Sequence, residues 1–262
     1  MTEPLLRGDR RPLVFGHRGT PRLAPENTLR SLALALDRGA DGFEVDVVAL
    51  ADGTLVAGHS LELAELCHGA ARGAASGRRL AELRLLDPEL ATLDEVLELA
   101  RLRLDGRPFL IDIKSPGIEG ALIEAVLEHG LEARVIFCAL ERSALVRLRS
   151  LAPEMSRSLS YPGDRYRLSE RRLFAAAIPV GLRVLRSLLP RRIGAWIDET
   201  GAAAATIHHE LVSCALVDAC HARGVALIAW VVDDVEVTKR LMAARIDAII
   251  TNDPLPILPL AQ

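Results

Sequence analysis

From one end to the other, the chain alternates short apolar runs, often β-branched, with longer stretches whose apolar positions recur every three to four residues. A short apolar run bounded by glycine or charged residues suits a strand buried on both faces, whereas the longer period suits a helix with one buried stripe. The pattern predicts strands at Leu13–Gly16, Gly42–Val47, Phe109–Ile113, Arg134–Cys138, Ser156–Ser160, Ala204–Ile207, Val225–Val231 and Asp247–Thr251. Helical patterns lie between them, among them Glu26–Asp37, Thr92–Arg103, Ile118–His129, Leu211–Arg223 and Val235–Ala244. A ninth run, Thr54–Ala57, follows Ala51-Asp52-Gly53 so closely that it reads as a hairpin partner of the second strand. Repeated βα units define an α/β chain. Eight of them within 262 residues favour a single (β/α)8 TIM barrel over an open doubly wound sheet. One domain over residues 1–262, with its core at about 13–254, is the expected organisation.

Composition narrows the class. Half the residues are hydrophobic, which supplies a large core, and a formal net charge of −3 gives no reason to expect a nucleic-acid partner. Cys67, Cys138, Cys214 and Cys220 form no CxxC pair, so buried packing in a reducing compartment is expected of them. The first twelve residues carry charges and no hydrophobic stretch of the signal-peptide kind, and no apolar run reaches the ~18 residues of a membrane span. A cytoplasmic location is expected.

Candidate chemistry gathers in the first half of the chain. In Phe43-Glu44-Val45-Asp46-Val47, Glu44 and Asp46 are two apart on a predicted strand and so share a face. Two carboxylates in a buried parallel strand repel each other and lose hydration, which calls either for a hard divalent cation such as Mg²⁺ or Ca²⁺ or for basic side chains. Phe15-Gly16-His17-Arg18-Gly19 follows the first strand and leads through Pro25-Glu26-Asn27-Thr28 into a helix. Strand ends of this kind carry the chemistry of barrels, and Arg18 suits bidentate phosphate binding. His59 closes the ninth run just after Gly58, so that two histidines could serve as acid and base. Asp112 and Lys114, two apart on the third strand, would add a carboxylate and a cation to the same mouth, or neutralise each other.

As a set, His17-Arg18-Gly19, Pro25-Glu26-Asn27-Thr28, Glu44-x-Asp46, His59 and Asp112-x-Lys114 resemble the signature of the glycerophosphodiester phosphodiesterase family. Ala229-Trp230-Val231-Val232 and Asp247 to Pro254 resemble the closing strands of that family, so the likeness runs from about residue 13 to 254. The resemblance implies a metal-dependent phosphodiesterase that releases glycerol 3-phosphate. His17 and His59 would be the acid/base pair and Glu44, Asp46 and Asp112 the ligands of a divalent metal, Mg²⁺ or Ca²⁺. Arg18, Lys114 and Trp230 would line the phosphate and substrate site, with a core role open for Trp230. Two positions depart from the pattern. Asp112 stands where the family has glutamate, and Ser60 stands where it has an aspartate beside the histidine, which removes a carboxylate near His59.

The substrate would be a small-molecule or lipid-derived phosphodiester. A lysophospholipase D-like activity is one alternative; a catalytically weak phosphate-binding barrel, suggested by Asp112 and Ser60, is another. The segment from Asp164 to Ile197 is rich in arginine and apolar residues, and could either rest on an anionic membrane surface or form an outer barrel helix. Pro179 and Pro190 predict that it is broken into more than one helix. His208 and His209 could reach the barrel mouth from the sixth predicted strand, while His68, His129 and His221 read as structural. The loop from Ser60 to about Leu90 has room for no more than a small lid.

Overall fold

The computed structural model describes residues 5–163 and 178–261. Eight parallel strands close on themselves: β1 (Leu13–Gly16), β2 (Gly42–Ala49), β4 (Phe109–Ile113), β5 (Val135–Ala139), β6 (Ser156–Tyr161), β7 (Ala204–His208), β8 (Ala226–Trp230) and β9 (Ala248–Thr251). Closure comes from β1, which pairs with β9 on one side and β2 on the other. β3 (Leu55–Ala57) lies outside the barrel, antiparallel to β2, as the tight Ala51-Asp52-Gly53 turn predicts. The strands fall within one or two residues of their expected bounds.

Alternation along each strand sorts the core into two bodies. Inward positions such as Phe15, Leu110, Ile136, Ala226, Ile228 and Ile250 fill the barrel. Outward positions such as Val14, Val45, Val47, Ile111 and Leu227 pack beneath the helices. Those helices are α1 (Leu29–Asp37), α4 (Leu93–Arg103), α5 (Glu119–Glu128), α6 (Arg142–Leu151), α7 (Ile178–Thr200), α8 (Cys214–His221) and α9 (Val235–Ala243). Two further short helices, α2 (Leu63–Leu66) and α3 (Leu80–Leu86), belong to the insertion after β3, which seats Leu63, Leu66 and Leu83 in a small core of its own.

The floor of the barrel is tied by buried carboxylates. Asp247 accepts from the Leu227 N–H at 2.7 Å, the Arg7 N–H at 3.0 Å and His221 Nε2 at 2.7 Å. Asp41 holds Arg11 in a bidentate pair and accepts from the Val14 N–H.

Three expectations need correction. Glu26 and Asn27 lie before α1 rather than in it, because Thr28 caps the helix by accepting from the Ser31 N–H. Cys214 is exposed, while Cys67, Cys138 and Cys220 are buried. Residues 164–177 fall outside the described residues, but from Ile178 to Thr200 the chain runs as one helix through Pro190. The helix tolerates that proline because Leu189, Ile193 and Ile197 around it are buried in the main core, which offsets the lost hydrogen bond. No helix among the described residues is long and apolar enough to cross a membrane.

Candidate active site

The C-terminal ends of the strands gather the polar residues. Pairing of β2 with β4 sets Asp46 directly beside Asp112, and Glu44 follows one pleat below Asp46 on the same face. Glu44 is 5% exposed and Asp46 1%. One carboxylate oxygen each from Glu44, Asp46 and Asp112 lies within 4.8 Å of the others. Burial, with repulsion from Asp46 and Asp112, pushes the Glu44 carboxyl up to about 8. Burial pushes Asp46 the same way, yet Lys114 and Arg18 outweigh it and hold Asp46 well below the usual carboxylate range. The low-lying Asp46 is thus the fixed anion of the site.

Two cations flank the acids. Lys114 Nζ stands 2.7 Å from Asp112 Oδ2 and 3.0 Å from Asp46 Oδ1. Arg18 Nε lies 2.7 Å from Asp46 Oδ2, and one terminal nitrogen donates to Glu26 Oε1 at 2.8 Å. Of the two alternatives for the acidic strand, basic side chains are present, and the carboxylates still leave capacity for a cation. Asp46 Oδ1 and Asp112 Oδ1 are buried without a hydrogen-bond partner, since the Lys114–Asp46 contact lacks hydrogen-bond geometry. Unpaired buried oxygens on converging carboxylates fit a hard cation.

The loop after β1 is strained to reach this cluster. Arg18 has φ 49° and Asn27 φ 57°, in the left-handed region. This turn aims the Arg18 N–H at Glu44 Oε2, 2.9 Å away. Asn27 grips Asp46 twice, donating from Nδ2 to Oδ2 and accepting the Asp46 N–H at Oδ1. At Gly19 (φ 88°) a Cβ would stand 2.4 Å from the Ser31 backbone, so the His-Arg-Gly turn packs against α1 only without a side chain.

His17 follows β1 and His59 follows β3, and the charge of each acts on Asp46. His17 Nδ1 lies 2.8 Å from Asn252 Oδ1. Burial, and then the charge of Arg18, lower the pKa of His17 and favour its neutral form. His59 follows β3 after Gly58, whose N–H donates to the Asp46 carbonyl at 3.0 Å. Its Nδ1 stands 3.1 Å from Glu65 Oε2, which also accepts from Ser60 Oγ at 2.7 Å. The carboxylate that Ser60 removes from the pattern is thus replaced from α2, five residues on.

Trp230, at the end of β8, is partly buried against the barrel core and donates from Nε1 to the Thr206 carbonyl at 3.1 Å. Its ring meets that of His208 edge-on with centroids 5.5 Å apart, and His208 stacks on His209 at 4.6 Å. Trp230 thus has the core packing expected as one of its two roles. His68, His129 and His221 are tied to Asp87, to the Ala125 carbonyl and to Asp247, in keeping with structural roles.

Several contributors had no assigned part in the sequence reading. Asn27 and Asn252 stand inside quoted motifs, but only the folded chain shows what they hold. Asp233 fixes Asn252 by accepting from its Nδ2 at 2.7 Å and its backbone N–H at 2.8 Å. Glu65 and Asp233 are lone loop or short-helix acids, with no sequence signal to single them out.

An eight-stranded parallel barrel with buried carboxylates, two cations and two histidines gathered at its C-terminal mouth has the arrangement of a barrel enzyme. The chain belongs to the glycerophosphoryl diester phosphodiesterase family, whose model matches residues 17–255, and is an enzyme of that class, a phosphoric diester hydrolase. It is 30% identical to the glycerophosphodiester phosphodiesterase of Caldanaerobacter subterraneus subsp. tengcongensis, over 95% of this chain and 98% of that protein. Among solved structures, an Oleispira antarctica phosphodiesterase in complex with the product sn-glycerol-3-phosphate matches with TM-score 0.71 and 25% identity, covering 95% and 96% of the two chains. The Thermotoga maritima glycerophosphodiester phosphodiesterase shares the fold, with TM-score 0.74 at 20% identity and 96% and 99% coverage.

Proposed function

We propose that this chain hydrolyses glycerophosphodiesters to glycerol 3-phosphate and an alcohol, using His17 and His59 as a proton-transfer pair over a cation-assisted phosphate site. The observation that carries this reading is the convergence of Glu44, Asp46 and Asp112 with Lys114 and Arg18, at an Asp46 on which the charges of both histidines act. The Oleispira antarctica relative in complex with sn-glycerol-3-phosphate supports the choice of product.

Glu44, Asp46 and Asp112 would hold a divalent ion, Mg²⁺ or Ca²⁺, which when bound neutralises charge on the phosphoryl oxygens. The remaining steps fall to the side chains. Arg18 and Lys114 attract and orient the phosphodiester, each held by carboxylates so that it cannot swing away. The neutral form of His17, with its Nδ1 proton committed to Asn252, leaves Nε2 free to accept a proton from the attacking oxygen. His59 then donates a proton to the departing alkoxide. Trp230 and His208 offer an aromatic wall for the alcohol portion.

Release of glycerol 3-phosphate from glycerophosphocholine and from a lysophospholipid, with EDTA or with added Mg²⁺ or Ca²⁺, tests the proposal when wild type is compared with His17→Ala. Metal-dependent release that the variant loses is the expected result. Release from the lysophospholipid alone would move the substrate to lipid diesters, and phosphate binding without turnover would replace the hydrolase reading by that of a binding barrel.

A further inference from the structure

We infer that Glu65 is a positioning residue for His59, delivered by the insertion after β3 in place of a carboxylate at position 60. The inference rests on the proton-transfer reading of His59.

Three contacts converge on one oxygen's surroundings. Glu65 Oε2 lies 3.1 Å from His59 Nδ1 and 2.7 Å from Ser60 Oγ. The Glu62 N–H donates to Ser60 Oγ at 3.2 Å, so the serine hydroxyl accepts there and has its own proton to give to Glu65. A carboxylate can only accept when ionised, which makes His59 Nδ1 the donor in its neutral and protonated states alike. Nε2 is then the atom left for the substrate. The backbone approach of His59 is already set by the Gly58 bond to Asp46, leaving the ring orientation as the freedom that Glu65 removes.

The carrier of Glu65 is braced. Leu63 and Leu66 on either side of it are buried, and the Leu63 and Ala75 amides bond to the Gly73 and Leu61 carbonyls at 2.7 Å each. His68, just beyond α2, bridges Asp87 Oδ2 at 2.6 Å and the Glu26 carbonyl at 2.8 Å. The insertion thereby leans on the same loop that supplies Glu26 to Arg18. The His59 and Glu65 side chains are 38% and 33% exposed, so their contact adds little to folding stability. Its effect should show in turnover rather than in melting.

The test compares wild type with Glu65→Ala, Glu65→Gln and the double variant Glu65→Ala/Ser60→Asp. Glu65→Ala should lower kcat about 10- to 100-fold, the scale for partners that orient a working histidine, with KM within about twofold and Tm nearly unchanged. Glu65→Gln, which keeps an acceptor but loses the charge, should fall between. Aspartate at 60 extends from the serine position toward the vacated oxygen and should recover most of the loss. In ¹⁵N spectra, His59 should change from a single Nδ1–H tautomer in wild type to a mixture in Glu65→Ala. An unchanged kcat in Glu65→Ala, or a loss that Ser60→Asp does not recover, overturns the inference. A wild-type protein without turnover would instead refute the hydrolase reading, and the His59 tautomer would then decide the role of Glu65 alone.

Discussion

Asn252 Oδ1 stands 2.8 Å from Nδ1 of His17, and Asp233 determines that the amide presents its oxygen to the ring. An ionised Asp233 can only accept, so Asn252 must point Nδ2 toward it and Oδ1 toward His17. Leucine at 252 preserves shape while removing both roles. Asn252→Leu is expected to reduce kcat on the order of tenfold or more, as loss of a group orienting a histidine generally does. Glycerol 3-phosphate release at saturating substrate gives the comparison.

Removing either histidine should cost far more. His17→Ala and His59→Ala are each expected to lower kcat by about 10² to 10⁴, the range for a positioned acid or base. The double variant should lose much less than the product of the two effects, because groups that act in one step are not additive. Single-turnover rates on glycerophosphocholine check both statements.

Glu44 ties ion binding to pH. Its carboxyl sits at about 8 in the folded chain against a usual 4.5, with burial the first cause and Asp46 and Asp112 next. Between those values the folded chain keeps a proton that the unfolded chain has released, so this residue lowers stability as pH rises through the window. Glu44→Gln should therefore melt higher than wild type in EDTA, with the gap widening from pH 4.5 to pH 8. Added Mg²⁺ or Ca²⁺ should raise the melting temperature of wild type and leave the variant nearly unmoved. Differential scanning calorimetry across that range separates these outcomes.

At the opposite end of the barrel, Asp247→Ala should unfold the protein more readily without touching the chemistry. It would orphan two backbone N–H groups, those of Arg7 and Leu227, and the buried one costs roughly 1–3 kcal/mol. Urea denaturation should show the loss, while the KM of the surviving folded fraction stays at its wild-type value.

How much of this could be read beforehand followed from whether a residue broke the local pattern. Glu44, Asp46 and Asp112 interrupt apolar strands, where a charge has no packing role, and the structure brings all three together. The eight strands were legible because burial on both faces leaves continuous apolar runs. Helix starts were less so, since Thr28 and not the apolar period decides where α1 begins. α2 and α3 are too short for a period to establish itself. Pro190 signals a break that tertiary packing overrides. Asn252 and Asp233 carry no pattern of their own, because Asn252 meets His17 across the closure of the barrel, 235 residues away in sequence, and Asp233 acts through Asn252.

The hairpin outside the barrel has a further consequence. β3 runs antiparallel to β2, with Val47 opposite Ala57 and Val48 opposite Val56, and Val56 also bridges Thr92, so His59 is placed next to the strand that bears Glu44 and Asp46. The spacing between His59 and the carboxylates Glu44 and Asp46 is thus largely a property of one short turn. The far side of the mouth, built by β6 to β9, can then change its walls to suit a different alcohol without disturbing the distance between His59 and the acids. A single scaffold gains a tunable half and a constant half, and the seam between them runs along β2.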